Sequence, residues 1–207
     1  MNENKKEQTT GAGMRSTAKP TSKKREWKKG FSAKRLAFMA VFTALSYAVS
    51  FLEIPLFPAA PYLKLDFGNV FILLVSFLLG PMEGIVTCIL KEGLRALGSS
   101  SGGVGEIANM VATTAYILLP SVVYRFRKGL KVVIPCLVAS CFIGTGAALL
   151  TNRFITFPLY MGEGAAAVFQ DVFWFVVAFN LIKTAAVGVV SMLLYKRLSN
   201  FLKRIKI

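Results

Sequence analysis

Successive apolar runs, each closed by glycine, proline or a cluster of charges, constrain this 207-residue chain more than any other feature. About 20 apolar residues in a helix cross the ~30 Å hydrocarbon core of a bilayer. Lipid offers no partner to backbone groups, and a helix satisfies its own. Six runs read as spans, at residues 34–51, 67–80, 82–97, 106–124, 131–151 and 171–195. The second closes at Gly80-Pro81, a tight turn. The third, MEGIVTCILKEGLRAL, is only weakly apolar and carries Glu83, Lys91, Glu92 and Arg95. At 55% hydrophobic and 17% charged, the chain is too apolar for an ordinary soluble domain.

The formal net charge of +15 raises the question of nucleic acid, and the placement of the charges answers it. Eleven of the 25 Lys and Arg fall in residues 1–35, four in 125–131 and five in 196–206. That clustering marks cytoplasmic flanks of membrane spans. An even number of spans puts both termini and the YRFRKGLK turn inside and the three long loops outside, where only Lys64 and Arg153 are cationic. The expected fold is therefore all-α, a six-helix transmembrane bundle with both termini cytosolic. Residues 1–33 read as a disordered basic cytosolic tail, 34–198 as the membrane domain and 199–207 as a second basic tail. A signal peptide is not expected, because the first run is long and lacks a small-residue cleavage site. No internal repeat is apparent, which counts against an inverted-repeat transporter.

Cys88, Cys136 and Cys141 lie inside apolar runs, and the chain has no histidine. Neither a disulfide framework nor a Cys/His metal site follows, and no metal is expected. The lack of histidine also removes a Ser–His dyad. Asp66 and Asp171, at span ends, make no aspartyl pair, and no nucleotide motif occurs, so an enzyme is not expected.

Three features remain that bear on function. Ala40, Ala44 and Ala48 form a stripe of small residues one turn apart on the first span. Such a stripe admits another helix closely, either a partner protein or a neighbour within the bundle. The loops FPAAPYLKLDF and SSSGGVGE converge at the outward end, which suggests a ligand mouth. Finally, VVAFNLIKTAAVGVV places Asn180 and Lys183 three residues apart, on one helix face, in the middle of the last span. A charge there costs about 2.5–3.5 kcal/mol on insertion scales. It serves either a ligand or a structural pair with Glu92 or Glu106.

In combination, YLKLDFGNVFILL, FLLGPMEGIV, SSSGGVGEIAN, TNRFITFPLY and FNLIK resemble the riboflavin-specific S component of energy-coupling factor (ECF) transporters, over residues 34–198. The resemblance implies a prokaryotic plasma-membrane protein that captures riboflavin from outside as a transported ligand, with no cofactor. It also implies docking onto a transmembrane coupling protein driven by two ATP-binding subunits. By motif, Asn152, Asn180 and Lys183 hold the flavin ring, with Leu63, Gly103 and Glu106 of the outward loops as further binding candidates. Ala40, Ala44 and Ala48 become the docking face, and the loop after the first span becomes a lid. Arg153 after Asn152 and Thr184 after Lys183 depart from the pattern. They keep open FMN, for which Arg153 would suit the phosphate, or pantothenate, or a thiamin or queuosine precursor. A stand-alone secondary carrier is the competing class.

Overall fold

A computed structural model describes residues 33–58, 60–99, 102–127 and 129–205; the basic tail expected at 1–33 lies, save for Ala33, outside them. Helix α1 (Ala33–Val49) leads into a two-stranded antiparallel hairpin, β1 (Glu53–Pro55) and β2 (Lys64–Asp66). Then come α2 (Gly68–Leu78), α3 (Pro81–Leu97) and α4 (Val104–Phe126). Helix α5 (Leu130–Thr151) continues through a π-helical turn (Asn152–Thr156) into α6 (Phe157–Met161), and α7 (Ala165–Ile205) completes the bundle. The six rods expected are present, with end points that differ in instructive ways.

Three of them are long and apolar enough to cross a bilayer alone: Val104–Phe126, Lys131–Met161 and Ala165–Tyr195. Their outward faces carry Phe142, Leu150, Trp174, Val189 and Leu193 in exposed positions, as a lipid-facing surface requires. Helix α2 differs. It has 11 residues rather than the 14 expected at 67–80, nine of them buried. Its length is about 16 Å at 1.5 Å per residue, half a bilayer core. A helix wrapped by others need not match the lipid, and Val70, Ile72, Leu73, Leu74 and Val75 form the centre of the core with Met39, Phe42, Ile117, Val133 and Val187.

The α2–α3 turn is the one read from Gly80-Pro81. Gly80 adopts φ 139°, open to glycine but strained for other residues. Pro81 opens α3, where its missing N–H costs nothing. At Gly84 a Cβ would lie 2.5 Å from Ser76 Cβ, so α2 and α3 approach at a distance that only glycine permits.

Two expectations for the loops are corrected. Residues 152–170 fall between the expected fifth and sixth spans as a loop, yet the helix runs on to Met161 and α7 starts at Ala165. The Phe157 N–H reaches back to the Asn152 carbonyl, five residues away, and this widened turn precedes Pro158. Phe157, Ala165 and Phe169 then bury each other. The loop after α1, expected as irregular, contains the hairpin, with Glu53 opposite Asp66 and Pro55 opposite Lys64. Pro55 sits in a two-stranded ribbon at the last paired position, where a missing donor is tolerated.

Candidate functional site

At the end of the bundle where the hairpin lies, α2, α4 and α7 leave a narrow cleft. It is lined by Asn69 of α2, Asn109, Thr113 and Tyr116 of α4, and Asn180, Lys183 and Thr184 of α7, with Ala112 and Val187. Its volume is about 20 Å³, room for one water. A planar ring entering here must therefore part the helices or lift the hairpin.

The cleft is polar because α2 contributes one hydrophilic side chain to its wall and α4 and α7 three each, in otherwise apolar helices. The Lys183 ammonium donates to Asn109 Oδ1 at 2.7 Å and lies 5.6 Å from the centre of the Phe179 ring. Asn109 Oδ1 also accepts from Asn69 Nδ2 at 3.2 Å and from the Thr113 hydroxyl at 3.4 Å. Asn69 Nδ2 is shared with Thr113 Oγ1 at 2.9 Å. Asn180 Nδ2 donates to the Val176 carbonyl at 2.8 Å, and the Thr184 hydroxyl donates to the Asn180 carbonyl at 2.7 Å.

Beside the cleft, a cluster of charges is sealed from lipid and water. Lys91 is 0% exposed and Glu92 3%. The Lys91 ammonium donates to Glu92 Oε1 at 2.7 Å, Asp66 Oδ2 at 3.3 Å and Asn69 Oδ1 at 3.4 Å. Asn109 donates its amide N–H to the same Glu92 oxygen. A buried charge is tolerated only when paired and hydrogen-bonded, and here one lysine serves two carboxylates. Asp66 Oδ1 in turn accepts the Gly68 N–H at 2.7 Å, which fixes the hairpin's end to the start of α2.

The hairpin covers this end of the bundle. Ala60, Leu63 and Leu65 pack with Val176 and Phe179 of α7, and Phe57 meets Phe175 edge to face at 5.5 Å. Lys64 pairs with Glu53 at 2.8 Å. Arg95 of α3 donates to Glu53 as well and to the Ser50 carbonyl at 2.9 Å. Burial pushes the Glu53 carboxyl up, but the bonds from Lys64 and Arg95 outweigh it and hold the pKa below the usual range. A depressed carboxylate pKa means the clamp is complete at neutral pH and loosens only as the pH falls through the acid range.

Of the residues singled out from sequence, Asn180 and Lys183 line the cleft together, and Leu63 packs just above them on the α7 face. Asn152 begins the π-helical turn and does not line the cleft. Gly103, in a left-handed conformation, caps the N-terminus of α4, and Glu106 lies in that helix's first turn, both outside the lining. Arg153 lies 5.9 Å from the Phe169 ring centre, also outside it. The structural pair considered for Lys183 is one residue removed: Asn109 stands between it and Glu92. Ala40, Ala44 and Ala48 are exposed, while Met39, Phe42, Thr43 and Ser46 form the buried face of α1. Asn69, Asn109 and Thr113 were not foreseen. Their one signal is a polar side chain inside an apolar run, in GNVFILL and EIANMVATT.

Comparison with known proteins gives a consistent result. The family model described as ECF transporter, substrate-specific component, matches residues 34–195. The chain is 32% identical over 177 residues to the riboflavin transporter RibU of Staphylococcus aureus (strain TCH60), covering 83% of this chain and 94% of that protein. It is 26% identical over 185 residues to the riboflavin transporter FmnP of Bacillus subtilis (strain 168), covering 83% of this chain and 95% of that protein. A solved structure described as the S component of a bacterial ECF transporter superposes with a TM-score of 0.72 at 32% identity, covering 82% of this chain and 98% of that one.

Proposed function

Because this chain belongs to the substrate-specific components of ECF transporters, we propose that it is the multi-pass cell-membrane subunit that captures riboflavin from outside. Uptake then proceeds with a transmembrane coupling protein and two ATP-binding subunits. The single observation that carries this reading is the cleft under the hairpin, where Lys183 and Asn180 meet the amides of Asn69 and Asn109 in an apolar bundle. Amides and an ammonium lining a narrow slot suit the carbonyl and N–H groups on the edge of a flavin ring. The relatives named above as riboflavin transporters support that ligand over the other vitamins considered.

The chain binds its ligand and does not transform it. It carries no phosphate-binding loop, so ATP hydrolysis belongs to the partner subunits. Both termini and the 125–131 turn lie on the cytosolic side, where the basic residues cluster, which puts the hairpin and cleft outside. The hairpin is the lid. Lifting it breaks the Arg95–Glu53 contact and the packing of Leu63 on α7. Asn152, Gly103 and Glu106 serve the ligand once the lid and the π-helical turn have moved to admit it.

The exposed Ala40/Ala44/Ala48 stripe is the face for the coupling protein. Its value is close backbone approach, which a large side chain blocks. In vesicles holding the whole transporter, Ala44→Trp should abolish ATP-dependent riboflavin uptake while riboflavin binding by the purified chain stays unchanged. Full uptake by that variant would remove the stripe from the interface. Riboflavin accumulation driven by an ion gradient in vesicles holding this chain alone would make it a stand-alone carrier instead.

A further inference from the structure

Tyr116 lies seven residues beyond Asn109 on α4, about 10 Å further along the helix, and lines the same cleft. It is 2% exposed, and its hydroxyl has no hydrogen-bond partner among the described residues. A buried donor left unpaired costs as much as a lost hydrogen bond, whereas phenylalanine would fill the same space without that cost. The unpaired hydroxyls of Thr87, Ser140, Thr145 and Thr156 are a different case. A Ser or Thr hydroxyl reaches a carbonyl of its own helix by turning about one bond. A phenol cannot, because the rigid ring carries its oxygen across to the neighbouring helix.

The neighbouring helices leave space for that phenol. At Gly144 of α5 a Cβ would stand 3.0 Å from Tyr116 Cβ, and at Gly188 of α7 a Cβ would stand 2.7 Å from the Tyr116 oxygen. Glycine at both positions lets the ring lie across the cleft wall with its hydroxyl against α7, within the set that includes Lys183 and Thr184. We infer that Tyr116 is a ligand-binding residue: its hydroxyl donates to an acceptor, a carbonyl oxygen or an unprotonated ring nitrogen, on the planar heteroaromatic ring that the cleft admits. Lys183 and Asn109 engage one polar edge of that ring, and Tyr116 requires a second acceptor further along the slot. The cleft thereby rejects rings that are apolar at that point, because they leave the phenol unpaired. The inference rests on the riboflavin reading and deepens it.

Tyr116→Phe separates a binding role from a packing role. With the purified full-length chain, riboflavin fluorescence quenching gives Kd, and thermal unfolding without riboflavin gives Tm. The variant should bind riboflavin about three- to tenfold more weakly, the range for one neutral hydrogen bond. Its ligand-free Tm should be unchanged or higher, because an unpaired buried group has gone. A Kd within twofold of the unaltered chain overturns the inference, and so does a ligand-free Tm that falls with affinity. Failure of the unaltered chain to quench riboflavin would overturn the functional reading and this inference with it. Quenching that Tyr116→Phe leaves untouched overturns the inference alone.

Discussion

Lys91→Met is expected to destabilise the ligand-free protein by about 3–5 kcal/mol, the penalty for removing one partner of a buried ion pair. In thermal unfolding that is a fall in Tm of roughly 10 °C. The reason is the count of charges around one ammonium. Lys91 holds Glu92 at 2.7 Å and Asp66 at 3.3 Å with no exposure of its own. Methionine matches the length but leaves two carboxylates without a cation. Adding Asp66→Asn and Glu92→Gln to the variant should restore much of the loss, since a site with no charge has none left to compensate. A single variant that melts with the unaltered protein would mean that the carboxylates are neutral in the fold and that Lys91 does not organise them.

Lys183→Met carries the opposite signature, although both lysines lie in apolar helices. The Lys183 ammonium bonds Asn109 Oδ1, and no carboxylate lies within ion-pair distance of it among the described residues. When it is deleted, Asn109 Oδ1 keeps Asn69 and Thr113 as donors. Insertion into lipid is eased by the removal of a charge. Ligand-free Tm should therefore hold within a few degrees. Binding should not. A charged donor to a ring carbonyl contributes about 1.5–3 kcal/mol, so riboflavin Kd should rise about 10- to 150-fold. Asn180→Leu should lose less, about 1 kcal/mol, the value for a neutral amide. If Lys183→Met instead lowers Tm and leaves Kd unchanged, Lys183 belongs to the scaffold with Lys91.

The difference between these two lysines was only half legible in the sequence. Both stand out as charges in apolar runs, because lipid makes every such residue conspicuous. Which partner each one finds depends on the register between helices that are distant in the chain. Lys183 and Asn109 are 74 residues apart, and Lys91 and Asp66 are 25 apart. No periodicity within one span reports that register. The rods themselves were legible because a bilayer allows few alternatives to apolar helices, and the turn at Gly80-Pro81 announced itself through two residues with fixed backbone preferences.

Where tertiary contacts override local preference, the sequence misled. Asn152, Arg153 and Pro158 argue for a loop, yet the chain stays helical to Met161 because a π-helical turn precedes the proline and Phe157 packs with Phe169. The hairpin was hidden for a related reason. Its strands are three residues each, too short for an alternating pattern, and the contacts at Arg95 and Lys91 that hold it come from α3.

Titration of the purified, unaltered chain with riboflavin shows whether the cleft takes up the flavin. Flavin fluorescence should quench saturably at one riboflavin per chain, as the ring leaves water for the cleft lined by Asn180, Lys183 and Asn109. Thermal unfolding should also shift upward with riboflavin concentration, since a ligand that binds only the folded state stabilises it by mass action. A folded, monodisperse chain that neither quenches riboflavin nor gains thermal stability from it would not be a riboflavin-binding subunit.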